Sequence, residues 1–170
     1  MSSATDKALA LLRIALGWIF FWPFLDKTFG LGFSTAHDSA WIRGGHPTRG
    51  FLGNAEGWMS GLFNALSDSV VVEWLFMLGL LGIGLSLLLG IGLRIGTISG
   101  AVLLGFMYLA VLPFSRTTET VRGDTNPFVD DHIVYGIALI TLFFANAGRT
   151  WGLGAWWQGL PFVQKYRWLQ

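Results

Sequence analysis

Four stretches of this chain are apolar for long enough to cross a membrane, and that dictates its environment before anything else. A helix needs about 20 predominantly apolar residues to span roughly 30 Å of hydrocarbon. The stretches lie at about residues 8–25, 70–93, 95–114 and 127–147. Of the 170 residues 53% are hydrophobic and 12% charged, where a soluble domain carries about 25% charged residues, so most of the surface must face lipid. The expected fold is an all-α integral membrane protein: an antiparallel four-transmembrane-helix bundle forming one transmembrane domain over residues 1–170. A long, partly helical outer loop at about 26–69 joins helices 1 and 2, and a cytoplasmic tail runs from about 148 to 170.

Local signals place the boundaries. The first stretch contains Arg13 and Pro23, and no small-residue cleavage site follows it, so it reads as a retained helix. The second and third are separated by Arg94 and its neighbours, which makes them a tight hairpin. The fourth is expected to start at Asn126-Pro127, where Asn caps and Pro suits the first helical position. Gly82, Ser86 and Gly90, and likewise Gly92, Gly96 and Gly100, recur every four residues and give small faces for close helix packing; a homodimer seam is the alternative use. Trp22, Trp58 and Trp74 fit an outer aromatic belt, and Trp151, Trp156 and Trp157 an inner one.

Charge orients the bundle. The terminal side carries Lys7, Arg13, Arg94, Arg149, Lys165 and Arg167 against Asp6 alone, whereas acidic residues outnumber basic ones on the other side. Cytoplasmic termini in a cell membrane follow from the retention of basic loops in the cytoplasm. The net charge of +1 argues against nucleic acid as a partner. With no cysteine, the chain has no thiol for redox chemistry, disulfides or thiolate metal binding.

Candidate chemistry gathers at the outer end. Trp58, Leu62 and Leu66, beside Met59 and Phe63, have the spacing of an amphipathic helix at the lipid surface. The segment from Trp41 to Leu52, containing Arg43, His46 and Arg49, reads either as a cap folded over the bundle or as an ordinary surface loop. Asp131, His132 and Tyr135 are spaced to share a face of the fourth helix, and Tyr108, Leu112, Ser115 and Arg116 make a similar stripe on the third. Glu73 lies one turn inside the second helix, and Asp26 and Lys27 end the first. Two readings stand side by side. Acidic residues in a first helical turn interact favourably with its dipole, which alone accounts for Glu73, Asp130 and Asp131. The sharper reading is a buried polar pocket in which Arg116 or Lys27 pairs with Glu73 and His132 hydrogen-bonds a ligand. No two of His37, His46 and His132 have helical ligand spacing, so no metal site is expected. Arg13, far from these acids, is expected to snorkel to the inner headgroups, or else to bind carbonyls at a neighbouring helix end or a ligand reaching from the inner side.

Leu12-Arg13-Ile14-Ala15-Leu16-Gly17 with Asp26-Lys27, Trp41-Ile42-Arg43-Gly44, Pro47-Thr48-Arg49-Gly50-Phe51-Leu52, and Asn126-Pro127-Phe128-Val129-Asp130-Asp131-His132 together resemble the DoxX/DoxD family of small four-helix membrane proteins over nearly the whole chain. The resemblance implies four membrane helices. Through its DoxD branch it implies the membrane subunit of a thiosulfate:quinone oxidoreductase that acts with a partner polypeptide. In that reading quinone is the redox ligand, with no metal or covalent cofactor. Glu73, His132 and Asp131 are the candidate catalytic groups, and Trp41, Lys27, Arg43, His46, Arg49, Arg116 and Tyr135 the candidate ligand-binding groups. His132, Tyr135, Glu73 and Arg116 are types that can hydrogen-bond a quinone and exchange its protons, while thiosulfate, a dianion, needs Arg43, Arg49, Arg116 or Arg122 to converge. A non-catalytic membrane scaffold or accessory subunit of a respiratory or redox complex is the alternative from a different class.

Overall fold

A computed structural model describes residues 3–55, 59–111 and 128–170, with the Val111 side chain also outside the description. Its described elements are helical: α1 (Ala4–Phe29), α2 (Arg49–Gly53), α3 (Ser60–Leu66), α4 (Val70–Leu89), α5 (Leu93–Val111), α6 (Asp131–Phe144), α7 (Gly154–Gly159) and α8 (Pro161–Lys165), with short 3-10 turns among them. The helices α1, α4 and α5 are long and apolar enough to span a bilayer. Their outward faces carry Leu11, Trp18, Val71, Leu75, Ile98 and Phe106, all exposed, which suits lipid and not water. Helix α6 has 14 residues, which rise about 21 Å.

Successive long helices run antiparallel. Gly17 of α1 lies on Leu88 and Gly84 of α4 on Phe21, Gly96 of α5 lies on Ser86, and Gly100 meets Leu139 of α6. Leu16, Phe20, Leu80, Ile83, Leu87, Leu104, Leu139 and Leu142 form the shared core, so all four helices contribute to one apolar interior. Of the expected small faces, Ser86, Gly90, Gly96 and Gly100 make close contacts within the chain, whereas Gly82 meets nothing and its place on α4 is taken by Gly84. A Cβ on Gly84 would stand 2.8 Å from Phe21 Cβ and 2.9 Å from its backbone, whereas a Cβ on Gly82 meets nothing within 4 Å. Gly84→Ala should therefore destabilise by about 1–3 kcal/mol through overpacking. Gly82→Ala should be neutral or stabilise by up to about 1 kcal/mol, since Ala is the better helix former. Thermal unfolding of the two variants in detergent checks the pair, and equal effects would show that the α1–α4 contact tolerates a methyl group.

The helix ends differ from expectation for identifiable reasons. Helix α1 runs on to Phe29, because Gly30, in the left-handed region at φ 64°, closes it with its N–H on Asp26 O. The Asp26 carboxylate is spent on the following turn, accepting from Phe33 N–H (3.2 Å), Ser34 N–H (2.9 Å) and the Ser34 hydroxyl (2.7 Å). Helix α4 stops at Leu89, before the expected 93, at a second left-handed glycine, Gly90. Helix α6 starts at Asp131 with Asp130 as its cap, its Oδ1 accepting from Ile133 N–H at 3.1 Å. The expected start at Asn126-Pro127, and the expected end of the third crossing at 112–114, lie outside the described residues.

Arg13 does not snorkel. It is fully buried, and its guanidinium donates to the carbonyls of Leu87, Leu88 (3.1 Å), Thr150 (3.3 Å) and Trp151 (2.8 Å). The first two are end carbonyls of α4, which lack partners within the helix and carry its negative dipole end. Trp151 adopts a left-handed backbone at φ 52°, a strained conformation for a bulky residue, and its carbonyl is held on Arg13. One cation thus ties α1, the end of α4 and the start of the tail together.

The loop between α1 and α4 folds as a cap. Leu52, Ala55 and Phe63 pack with Ala110 of α5 in a second apolar cluster, flanked by Met59, Leu66, Val72 and Leu109. Helix α3 turns Phe63 inward and leaves Leu62 exposed, while Leu66 packs beside the cluster; Trp58 lies outside the described residues.

Candidate functional site at the capped end

Antiparallel order brings the starts of α4 and α6 to the same end of the bundle, where the cap packs on α4 and α5. Ser69 caps α4, with its side chain accepting from Val72 N–H, and so sets Glu73 in the first turn, where it is buried at 6% exposure. Each carboxylate oxygen takes one partner. Trp41 Nε1–H donates to Oε1 at 2.7 Å, and His46 Nδ1 lies 3.0 Å from Oε2. The Trp41 ring stands edge-on to Trp74 at 4.6 Å between centroids, which fixes the indole over the helix. His46 has 43% of its side chain exposed, so the pair joins a buried carboxylate to a half-exposed imidazole.

The neighbours expected around Glu73 are arranged differently. Among the described residues its ion pair is with His46 and not with Lys27, which is half-buried beside Asp26. Arg116, the other expected partner, and Arg122 lie outside the described residues, as do Leu112 and Ser115 of the Tyr108 stripe; the Tyr108 hydroxyl itself donates to Phe128 O at 3.0 Å. Arg43 is exposed on its 3-10 turn. Arg49 pairs with Asp68 at 2.7 Å, with both side chains more than half exposed, a geometry worth about 0–1 kcal/mol. Arg43 and Arg49 thus supply no convergent dianion site between them.

At the start of α6, His132 Nδ1 lies 2.7 Å from Asp130 Oδ2 and 3.4 Å from Asp131 Oδ1. Asp130 therefore caps the helix with one oxygen and orients the imidazole with the other. Tyr135 packs against the common core, while the Asp131 side chain is 65% exposed, so these two do not present one face to a shared ligand. One donor atom from each of Asp130, Asp131 and His132 lies within 4.8 Å of the others, close enough to share a cation. Histidine spacing alone could not reveal this grouping, because it arises from three consecutive residues at a helix start.

The pairing of Glu73 with Trp41 and His46 has no signature in the sequence. Trp41 and His46 lie 32 and 27 residues away, on an irregular segment without periodicity. The one legible signal was an acidic residue inside a membrane-spanning segment, which needs a partner. Protein-family models, curated proteins and solved structures yield no match to this chain.

Proposed function

We propose that this chain is a membrane subunit of a quinone-linked oxidoreductase of DoxX/DoxD type, with α6 in a fourth crossing, the termini in the cytoplasm and the capped end outside. The observation that carries this reading is the His46–Glu73 pair at the capped end of an apolar bundle. Reduction of a quinone to a quinol takes two electrons and two protons. The half-exposed imidazole is placed to pass protons between water and the bundle, and the buried carboxylate holds the charge that results. His132, oriented by Asp130, is a second donor at the same end. The chain has no cysteine, so no thiol of its own supplies the electrons. Thiosulfate is the donor the resemblance implies: two thiosulfate ions joining through a new S–S bond give tetrathionate and the two electrons. With Arg49 held by Asp68, binding of that dianion falls to other cations or to a partner polypeptide.

A second reading is favoured by the same contacts. Trp41 and His46 both pin the cap onto α4, as a docking scaffold for a partner enzyme requires. Mass spectrometry of protein purified gently from its own membranes separates the two. The redox reading expects near-stoichiometric quinone, lowered at least tenfold by His46→Gln in a correctly folded protein. A stoichiometric partner chain without quinone, unchanged by His46→Gln, would establish the scaffold.

A further inference from the structure

We infer that the tail end of the bundle is a binding site for anionic phospholipid, with a headgroup phosphate received in a pocket beside Arg94. Residues 147–170 contain Arg149, Lys165 and Arg167 and no acidic residue, and all three cations are exposed. The same segment exposes Trp151 and Trp156 at 59%, Trp168 at 60%, and Phe162 and Tyr166 at 47% each. Its helices α7 and α8 have six and five residues, too short to cross a membrane. Basic groups mixed with exposed aromatic rings suit the headgroup layer, where the rings enter the acyl boundary and the cations meet phosphate.

Hydrogen bonds fix the depth of the segment. Leu153 N–H donates to Leu89 O at 2.8 Å, Arg94 N–H to Gln170 O at 2.8 Å, and Trp157 Nε1–H to Leu169 O at 2.7 Å. With Arg13 holding Thr150 and Trp151, the tail is bound at the level where α4 ends and α5 begins, which is the edge of the hydrocarbon. A small cavity of about 40 Å³ lies there between the helix ends and the tail, lined by Arg94, Phe143, Asn146, Trp157, Gln158 and Gln170 among others, with no acidic side chain. The Arg94 guanidinium lies over the Phe143 ring, 5.4 Å from its centre, and its Nε is buried without a hydrogen-bond partner. Arg94 therefore brings positive charge to a pocket that also offers the amide side chains of Asn146, Gln158 and Gln170. The occupant is a lipid and not a soluble anion, because the surrounding surface is aromatic and lies at the bilayer boundary.

Full-length protein in detergent, titrated by native mass spectrometry with phosphatidylglycerol and with phosphatidylcholine of the same acyl chains, tests this. Each basic group beside an anionic headgroup layer is worth roughly a fivefold factor. Phosphatidylglycerol should bind more than about tenfold tighter than phosphatidylcholine. Arg94→Gln should lower that ratio about fivefold. Replacing Arg149, Lys165 and Arg167 together by Gln, all exposed and therefore tolerated by the fold, should lower it to no more than the roughly fivefold that Arg94 alone supports. Equal affinities for the two lipids in the unaltered protein, or a ratio that neither variant moves, would overturn the inference. So would loss of the preference on adding inorganic phosphate at an ionic strength matched with chloride, because the pocket would then be a free-anion site.

Discussion

Arg13→Met should be among the most destabilising single substitutions in this protein, lowering the thermal midpoint in detergent by about 10 °C. The side chain is fully buried and serves four carbonyls from two segments. Methionine fills much of the volume but leaves those acceptors without their donor, and each buried unsatisfied group costs about 1–3 kcal/mol. A total of about 3–5 kcal/mol, at roughly 2–4 °C per kcal/mol for a chain of this size, gives the shift. The loss is also local. Thr150 and Trp151 are released, and Trp151 no longer has the contact that offsets its left-handed backbone, so the tail should become accessible to protease first. Arg13→Lys should recover only part of the stability, because an ammonium is a point donor and cannot fork to both segments. Tryptophan fluorescence during heating, combined with limited proteolysis, measures both effects. A midpoint within about 1 °C of the unaltered protein would mean that the carbonyls find other donors and that the guanidinium is dispensable.

Glu73 permits a sharper experiment, because two substitutions there separate holding the cap from handling protons. Glu73→Ala removes the acceptor of both Trp41 and His46. Losing two hydrogen bonds, at least one to a charged group, should loosen the cap by about 2–4 kcal/mol, seen as faster amide exchange over residues 41–52 with the bundle core unchanged. Glu73→Gln is nearly isosteric. Its carbonyl still accepts from Trp41 and its amide can donate to a neutral imidazole, so the cap should stay closed. In the redox reading its quinone reductase turnover should nevertheless fall by about 10²–10⁴-fold, the usual contribution of a positioned acid or base. A closed cap with undiminished turnover would reduce Glu73 to a pin and favour the scaffold.

Both experiments concern residues whose importance was legible while their partners were not. Arg13 and Glu73 stand out as charges inside apolar segments, and lipid makes such charges costly enough to need partners. Hydropathy does not say which partners. Glu73 was expected on Lys27 or Arg116, as opposite charges; Arg116 lies outside the described residues, and among the described ones Glu73 is met not by Lys27 but by an indole and an imidazole from the loop. Asp26 looked like part of the polar end and is instead consumed by the turn that follows it. For Asp131 and Tyr135 a spacing of four aligns Cβ directions only. The bundle core then drew the ring inward and water drew the carboxylate outward.

By itself the sequence determined that the chain lives in lipid, that its regular structure is helical, and that small residues on α4 and α5 bring helices close. These follow from length, composition and short-range periodicity, which act within a few turns of one helix. Only the tertiary structure decided that α4 and α5 turn at Gly90 around a guanidinium from α1, that the loop between α1 and α4 closes over α4 and α5, and that the tail folds back to make a basic, aromatic end. Each of these joins groups tens of residues apart through hydrogen bonds to single atoms. Such contacts leave no period in the sequence, because their geometry exists only once the bundle has packed.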